Sequence, residues 1–393
     1  MKFIKFIFGY NSKKYIVIAN YNLKIIMNKS RLLTLILIIH SFSLFSQRND
    51  SLSYQAAQML MMGFRGTDLS QNEQIVSDVK GLNIGGVILF EYDLPSKSRP
   101  RNISSSQQLQ KLCADLQQLT DNKLFVAIDQ EGGKVNRLKT NYGFPATASA
   151  HYLGQLDDAD STRFYADRMA KTLSDCGINL NFSPCIDLNI NKNCPIIGKV
   201  ERSFSDNPDR VVKHAEIFVE AHRTHGVLSC LKHFPGHGSS KEDSHDGFTD
   251  ITETWQEIEL QPYRMMIASG MCDAVMSSHV FNANLDADYP GTLSQKIITA
   301  MLRDSLGWDG CIFSDDMNMG AITKNFGLKE SIALAINAGV DVLIFSNNSS
   351  ESYDPLLAQK ALNAILELVD ERVITEERIE ESYRRIMQAK GLL

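Results

Sequence analysis

Residues 124–138 read LFVAIDQEGGKVNRL, five apolar side chains in an unbroken run followed at once by an acid, an amide, a second acid and two glycines. Alternation would mark a half-exposed strand. A continuous apolar run of this length marks a strand covered on both faces, as in parallel sheets flanked by helices. The same run-then-polar pattern recurs along the chain, with apolar segments at 59–64, 86–90, 124–128, 178–182, 227–231, 274–278, 311–313 and 340–345. Helix-like stretches lie between or beyond them at 104–118, 159–176, 208–224, 254–269, 294–306 and 328–338, and 355–369 and 376–390 would close the chain. One crossover helix per strand-to-strand interval is the rhythm of βα units. Eight units point to an α/β fold of the (β/α)8 TIM-barrel type, with a doubly wound open sheet as the alternative. No Ser/Pro/Gly linker and no internal repeat divides the body, so a single catalytic domain over 47–393 is expected.

Composition narrows the function. Hydrophobic residues make up 44% of the chain and charged residues 22%, average globular usage, which excludes disordered and coiled-coil classes. The first 46 residues hold seven basic and no acidic side chains; beyond them 33 basic residues face 46 acidic ones, a net charge of −13. An acidic body without a basic face argues against a nucleic-acid partner. The seven cysteines are scattered without a CxxC pair and read as small buried apolar residues, not as a disulfide framework or a zinc knuckle.

The N-terminus reads as an address. MNKSRLLTLILIIHSFSLFSQ, residues 27–47, has a basic start, a short apolar stretch and small residues before Gln47, the layout of a signal peptide cleaved after Ser46. The expectation is an exported protein, periplasmic or extracellular, with no membrane span in the mature chain, because the apolar stretch falls short of the roughly 20 residues that a spanning helix needs. Residues 1–26 add nothing that a signal peptide requires and read as a gene-model extension before a true start at Met27.

In barrels of this type the working side chains sit just past the strands. Three strand ends carry dense polar clusters: AIDQEGGKVNRL with Asp129, Glu131 and Arg137; LKHFPGHGSSKEDSHDG with Lys232, His233, His237, Asp243 and His245; and IFSDDMNMGAI with Asp315 and Asp316. A helix cap or a turn accounts for any one of these acids, and Asp316 reads as structural. A metal reading of the histidines is disfavoured, because Pro235 and Gly236 interrupt the spacing between His233 and His237, so no regular helical face presents both as ligands; neither metal nor cofactor is expected. The sharper reading takes Asp315 as a nucleophile and His245, oriented by Asp243, as a proton shuttle. Retaining glycoside hydrolysis needs one carboxylate to trap the sugar and one group that gives and then takes a proton. Histidine titrates where that exchange is easy.

KHFPGHG followed by DSH, with DQEGG upstream and SDDM downstream, resembles the family 3 glycoside hydrolases, specifically their bacterial β-N-acetylhexosaminidase branch. The likeness covers about 330 residues. It implies a (β/α)8 barrel without the second, sandwich-like domain of many β-glucosidases. It also implies Asp315 as nucleophile, His245 as acid/base with Asp243 as its partner, and Asp129, Arg137, Arg202, Lys232 and His233 as residues that hold a terminal N-acetylglucosamine. The chain departs from the family pattern at DGFTDIT (246–252), which lacks a proline often found there, and at Lys134, where arginine is common. The implied activity is retaining exo-hydrolysis of β-linked N-acetylglucosamine in a saccharide substrate; a β-glucosidase-like specificity, phosphorolysis and a non-catalytic sugar-binding protein are the alternatives.

Overall fold

Among the described residues, nine short parallel strands form one sheet in the order β5-β4-β3-β2-β1-β11-β10-β8-β6. They are β1 (Leu60–Gly63), β2 (Gly86–Leu89), β3 (Phe125–Ile128), β4 (Leu180–Asn181), β5 (Leu228–Ser229), β6 (Leu231–Phe234), β8 (Ala274–Ser277), β10 (Cys311–Asp316) and β11 (Val342–Phe345). The two ends of that order, β5 and β6, are separated in the chain only by Cys230, so nine strands occupy eight positions around a nearly closed barrel. This is the expected (β/α)8 architecture, not the open sheet. The computed structural model describes residues 51–243, 247, 249–349 and 353–391. The anticipated extension at 1–26 and signal peptide at 27–46 lie outside the described residues, as does His245. Residues from Ser51 onward form one compact unit, and among the described residues no helix is long and apolar enough to cross a membrane.

Strands form where the apolar runs lie because both faces are covered: β1, β2, β3, β8 and β11 are buried along their whole length. Inside the barrel the Phe313 ring meets Phe125 and Phe182 edge-on, at centroid separations of 5.7 and 5.6 Å, a preferred aromatic geometry. Outside, amphipathic helices cover the sheet. Pro208–Thr224 shows the logic. Asn207 caps it by accepting from the Arg210 amide, Pro208 occupies the first turn where its missing N–H costs nothing, and Val211, Val212, Ala215, Phe218 and Val219 are buried against the barrel.

Three strands differ from expectation. The fourth is only Leu180–Asn181, because after Phe182 the Ser183 amide turns back onto the Asn181 carbonyl at 2.8 Å and Pro184 has no N–H to extend the ladder. The fifth breaks at Cys230, whose amide is shared between the carbonyls of Asn181 and Ser183, so that Leu231–Phe234 re-registers onto β8. The seventh runs three residues further than its apolar stretch, which places Asp315 and Asp316 on the strand itself. A small pair, β7 (Thr249–Asp250) with β9 (Val280–Phe281), was not anticipated. The helix expected at 254–269 divides into a tight turn, Glu257–Leu260, and Gln261–Ala268.

Candidate active site

A cavity of about 620 Å³ opens at the C-terminal ends of the strands, a size suited to a small-molecule ligand. Its wall draws on nearly every barrel position: Phe90 and Glu91 beyond β2, Asp129 beyond β3, Lys232 and His233 on β6, Met276 on β8, Asp315 and Asp316 on β10 and Ile344 on β11, with Arg137 and Arg202 from loops. Six of the eight residues singled out in the sequence, Asp129, Arg137, Arg202, Lys232, His233 and Asp315, therefore share one chamber. Asp243, half-buried on the loop after β6, is not among the cavity-lining residues, and His245 lies outside the described residues.

The wall is an ion network. The Lys232 Nζ lies 2.7 Å from Asp129 Oδ1 and 2.6 Å from Glu131 Oε1. Glu131 is also gripped by Arg202, whose Nε and Nη2 donate to its two oxygens at 2.8 and 2.7 Å. Burial alone would neutralise these groups, but the opposite charges outweigh it. Desolvation is overcome by Arg202 and Lys232 at Glu131, which is held well below the usual carboxylate range. It is likewise overcome by Asp129 and Glu131 at Lys232, and by Glu131 at Arg202, both of which are held more basic than usual. All three therefore carry charge at neutral pH.

Counting donors shows what remains for a ligand. A guanidinium has five N–H bonds. Arg202 gives two to Glu131, one to His233 Nε2 at 3.0 Å and one to the Ile196 carbonyl at 3.0 Å, which leaves a single Nη1–H for the cavity. Lys232 likewise retains one of three. His233 retains none: its Nδ1 donates to Asp187 Oδ2 at 2.6 Å, which makes Nε2 the acceptor from Arg202. His233 thus orients Arg202 from within the wall. Arg137 stands 3.9 Å from Asp129 and 3.8 Å from Glu91, and Glu91 is paired with Lys139 at 2.8 Å.

The paired acids on β10 divide their tasks. Asp316 accepts from the backbone amides of Ser346 and Asn318 at 2.9 and 3.0 Å and from the Ser346 hydroxyl, which ties β10 to the loop after β11. Asp315 lines the cavity, one of its oxygens accepting from the Asp316 amide at 2.8 Å. His237 points inward, bonded to Ser240 Oγ at 3.0 Å, and burial lowers its pKa to about 4, so it shapes its loop as a neutral ring.

The roles of Asp187, Glu91 and Glu131 are not evident from the sequence alone. Asp187 is a hub that accepts from His233 Nδ1, the His233 and His237 amides and Cys185 Sγ. Among the described residues, Cys185, Asp187 and His233 are the group whose ligand atoms lie close enough to share a metal ion, all within 4.8 Å. Their donor set fits poorly. The thiol and imidazole already bond the carboxylate, and the Arg202 guanidinium sits at the far nitrogen of the ring.

A barrel whose strand tips surround one chamber with fixed charges, single spare donors and a carboxylate on the facing strand is built to hold a small polar ligand such as a sugar. The model for the glycosyl hydrolase family 3 N-terminal domain matches residues 51–389. A β-hexosaminidase of Tolumonas auensis is 33% identical over 292 residues, 74% of this chain and 83% of that protein. One from Neisseria meningitidis serogroup C is 35% identical over 272 residues, 67% and 72% of the two chains. Among solved structures, a family 3 β-N-acetylglucosaminidase from Paenibacillus superposes with a TM-score of 0.77 at 33% identity, covering 86% of this chain, which spans 62% of that one. A β-N-acetylhexosaminidase from Beutenbergia cavernae gives 0.76 at 26% identity, over 86% and 98%. The chain belongs to glycosyl hydrolase family 3.

Proposed function

We propose that the protein is an exported, retaining exo-β-N-acetylglucosaminidase. The observation that carries this reading is the convergence of Asp315 with the Asp129, Arg137, Lys232 and Arg202 wall on one chamber, in a family whose relatives compared above bear hexosaminidase names. Asp129 offers acceptor oxygens to ring hydroxyls, while the spare N–H bonds of Lys232 and Arg202 serve hydroxyl or acetamido oxygens of the terminal sugar. In the proposed cycle His245 protonates the glycosidic oxygen as Asp315 attacks the anomeric carbon from the opposite face. A covalent glycosyl ester forms and the aglycone alcohol departs. Water, deprotonated by His245, then displaces Asp315 and releases the sugar with its configuration retained. Asp243 fixes the imidazole tautomer, as the aspartate of a serine-protease triad does. Export rests on the signal-peptide layout of residues 27–46.

Rates of the purified protein on a panel of nitrophenyl glycosides test the reading. Turnover of the N-acetylglucosaminide well above that of the glucoside is expected; the reverse order would replace it with a β-glucosidase. Running the same assay with phosphate and looking for a sugar 1-phosphate separates hydrolysis from phosphorolysis.

A further inference from the structure

Glu259 is a buried carboxylate, 1% exposed, for which the cycle above has no use. Among the described residues no basic side chain is recorded as its ion-pair partner, and burial pushes its pKa up to about 7. A buried acid without a basic partner costs stability unless hydrogen-bond donors meet it. One oxygen accepts from the Gln256 amide at 3.2 Å, completing a capping box at the start of the Glu257–Leu260 turn. That alone is ordinary, but the other oxygen reaches across to a different element and accepts from the Gly238 amide at 3.1 Å. The preceding amide, His237 N, donates to Asp187 Oδ1 at 2.8 Å.

Two buried carboxylates thus hold two consecutive amides at the root of the loop that leaves β6. The glycines of PGHG permit this grip. Gly236 has φ +123°, and a side chain there would strike the Glu259 Cβ; a side chain at Gly238 would run into the Leu188 carbonyl. Five residues beyond Gly238 the chain reaches Asp243, and two further on His245.

We propose that Glu259 is a positioning residue for the acid/base step: with Asp187 it fixes the loop root at His237 and Gly238 from which the chain continues to Asp243 and His245. Asp187 ties that root to the cavity wall through His233, so the loop root and the proposed sugar site share one anchor. This rests on the proposed glycosidase activity and on His245 as its proton donor.

The test compares Glu259→Ala and Glu259→Gln with the wild-type protein on an N-acetylglucosaminide with a poor, alkyl leaving group and on one with an activated dinitrophenyl group, alongside His245→Ala. Activated phenols need little protonation, so a displaced donor slows the alkyl substrate selectively. Glu259→Ala is expected to lose at least about tenfold in kcat/KM, which reports the glycosylation step alone, on the alkyl glycoside and less than about threefold in kcat/KM on the dinitrophenyl glycoside. Glutamine can accept through only one oxygen, its amide N–H₂ then facing an N–H, so Glu259→Gln is expected to show a smaller loss with the same selectivity. This second variant carries the test should Glu259→Ala fail to fold. Equal losses on both substrates, or wild-type rates in both variants, would overturn the positioning role while leaving the glycosidase reading intact. Inactivity of the wild-type protein on both substrates, or an unselective His245→Ala, would overturn that reading and this inference with it.

Discussion

Arg202→Lys keeps the positive charge opposite Glu131 and removes the planar fork, so it isolates what the guanidinium geometry contributes. In the wild-type protein the fork makes two bonds to Glu131, one to His233 and one to the Ile196 carbonyl, and has one N–H left for the ligand. A lysine ammonium can approach Glu131 as a point charge, but it cannot also reach His233 Nε2, the Ile196 carbonyl and the cavity. The ligand term is one hydrogen bond from a charged donor, about 1.5–3 kcal/mol, which corresponds to roughly a 10- to 150-fold loss in kcat/KM. The protein term is the loss of the bonds to His233 and Ile196, about 1–3 kcal/mol of stability for the pair. Steady-state rates on nitrophenyl N-acetylglucosaminide and a urea melt read the two terms separately. A kcat/KM within about threefold of wild type would refute the donor count and with it the placement of Arg202 against the sugar.

Two further outcomes concern other buried groups. Lys390 is buried beside Gln58 Oε1, at 2.7 Å, and over the Phe125 ring, and burial lowers its pKa to about 7. Its unfolded counterpart binds a proton up to about pH 10.4, so the wild-type penalty is full below pH 7 and relieved as pH rises above it. Lys390→Met is therefore expected to raise the urea midpoint at pH 7, with the gain shrinking by pH 9; a constant difference across that range would contradict the shift. Saturating chelator is expected to leave the hydrolysis rate unchanged, because the Cys185, Asp187 and His233 groups bond one another, and loss of activity restored by a divalent ion would contradict this.

Legibility in the sequence followed the distance between a polar residue and its apolar run. Asp129, Lys232 and Asp315 abut or extend their runs, so the strand-end rule found them. Asp187 stands five residues beyond the run ending at Phe182, after a Pro184 that reads as a loop, and its role exists only through contacts with residues about fifty positions away. Glu259 sits in a helix-like stretch where a glutamate reads as solvated, and only the packing of that stretch under PGHG shows otherwise. Glu91 directly follows an apolar run and was legible by the same rule that found Asp129, but nothing in its neighbourhood of sequence foreshadows Lys139 as its partner. The barrel was legible because hydropathy records burial. The break at Cys230 was not, because VLSCL holds no glycine, proline or charge to mark it and the shift of register depends on carbonyls contributed by Asn181 and Ser183.

In the proposed cycle Asp315 forms a covalent bond to the anomeric carbon of a terminal N-acetylglucosamine. Incubating the protein with a 5-fluoro N-acetylglucosaminyl fluoride, which slows release of a glycosyl ester more than its formation, and mapping the adduct by peptide mass spectrometry tests it directly. The expected result is one sugar per chain on the peptide that contains Asp315, absent in Asp315→Asn. A sugar on another carboxylate, or turnover that yields the inverted anomer without any adduct, would contradict it.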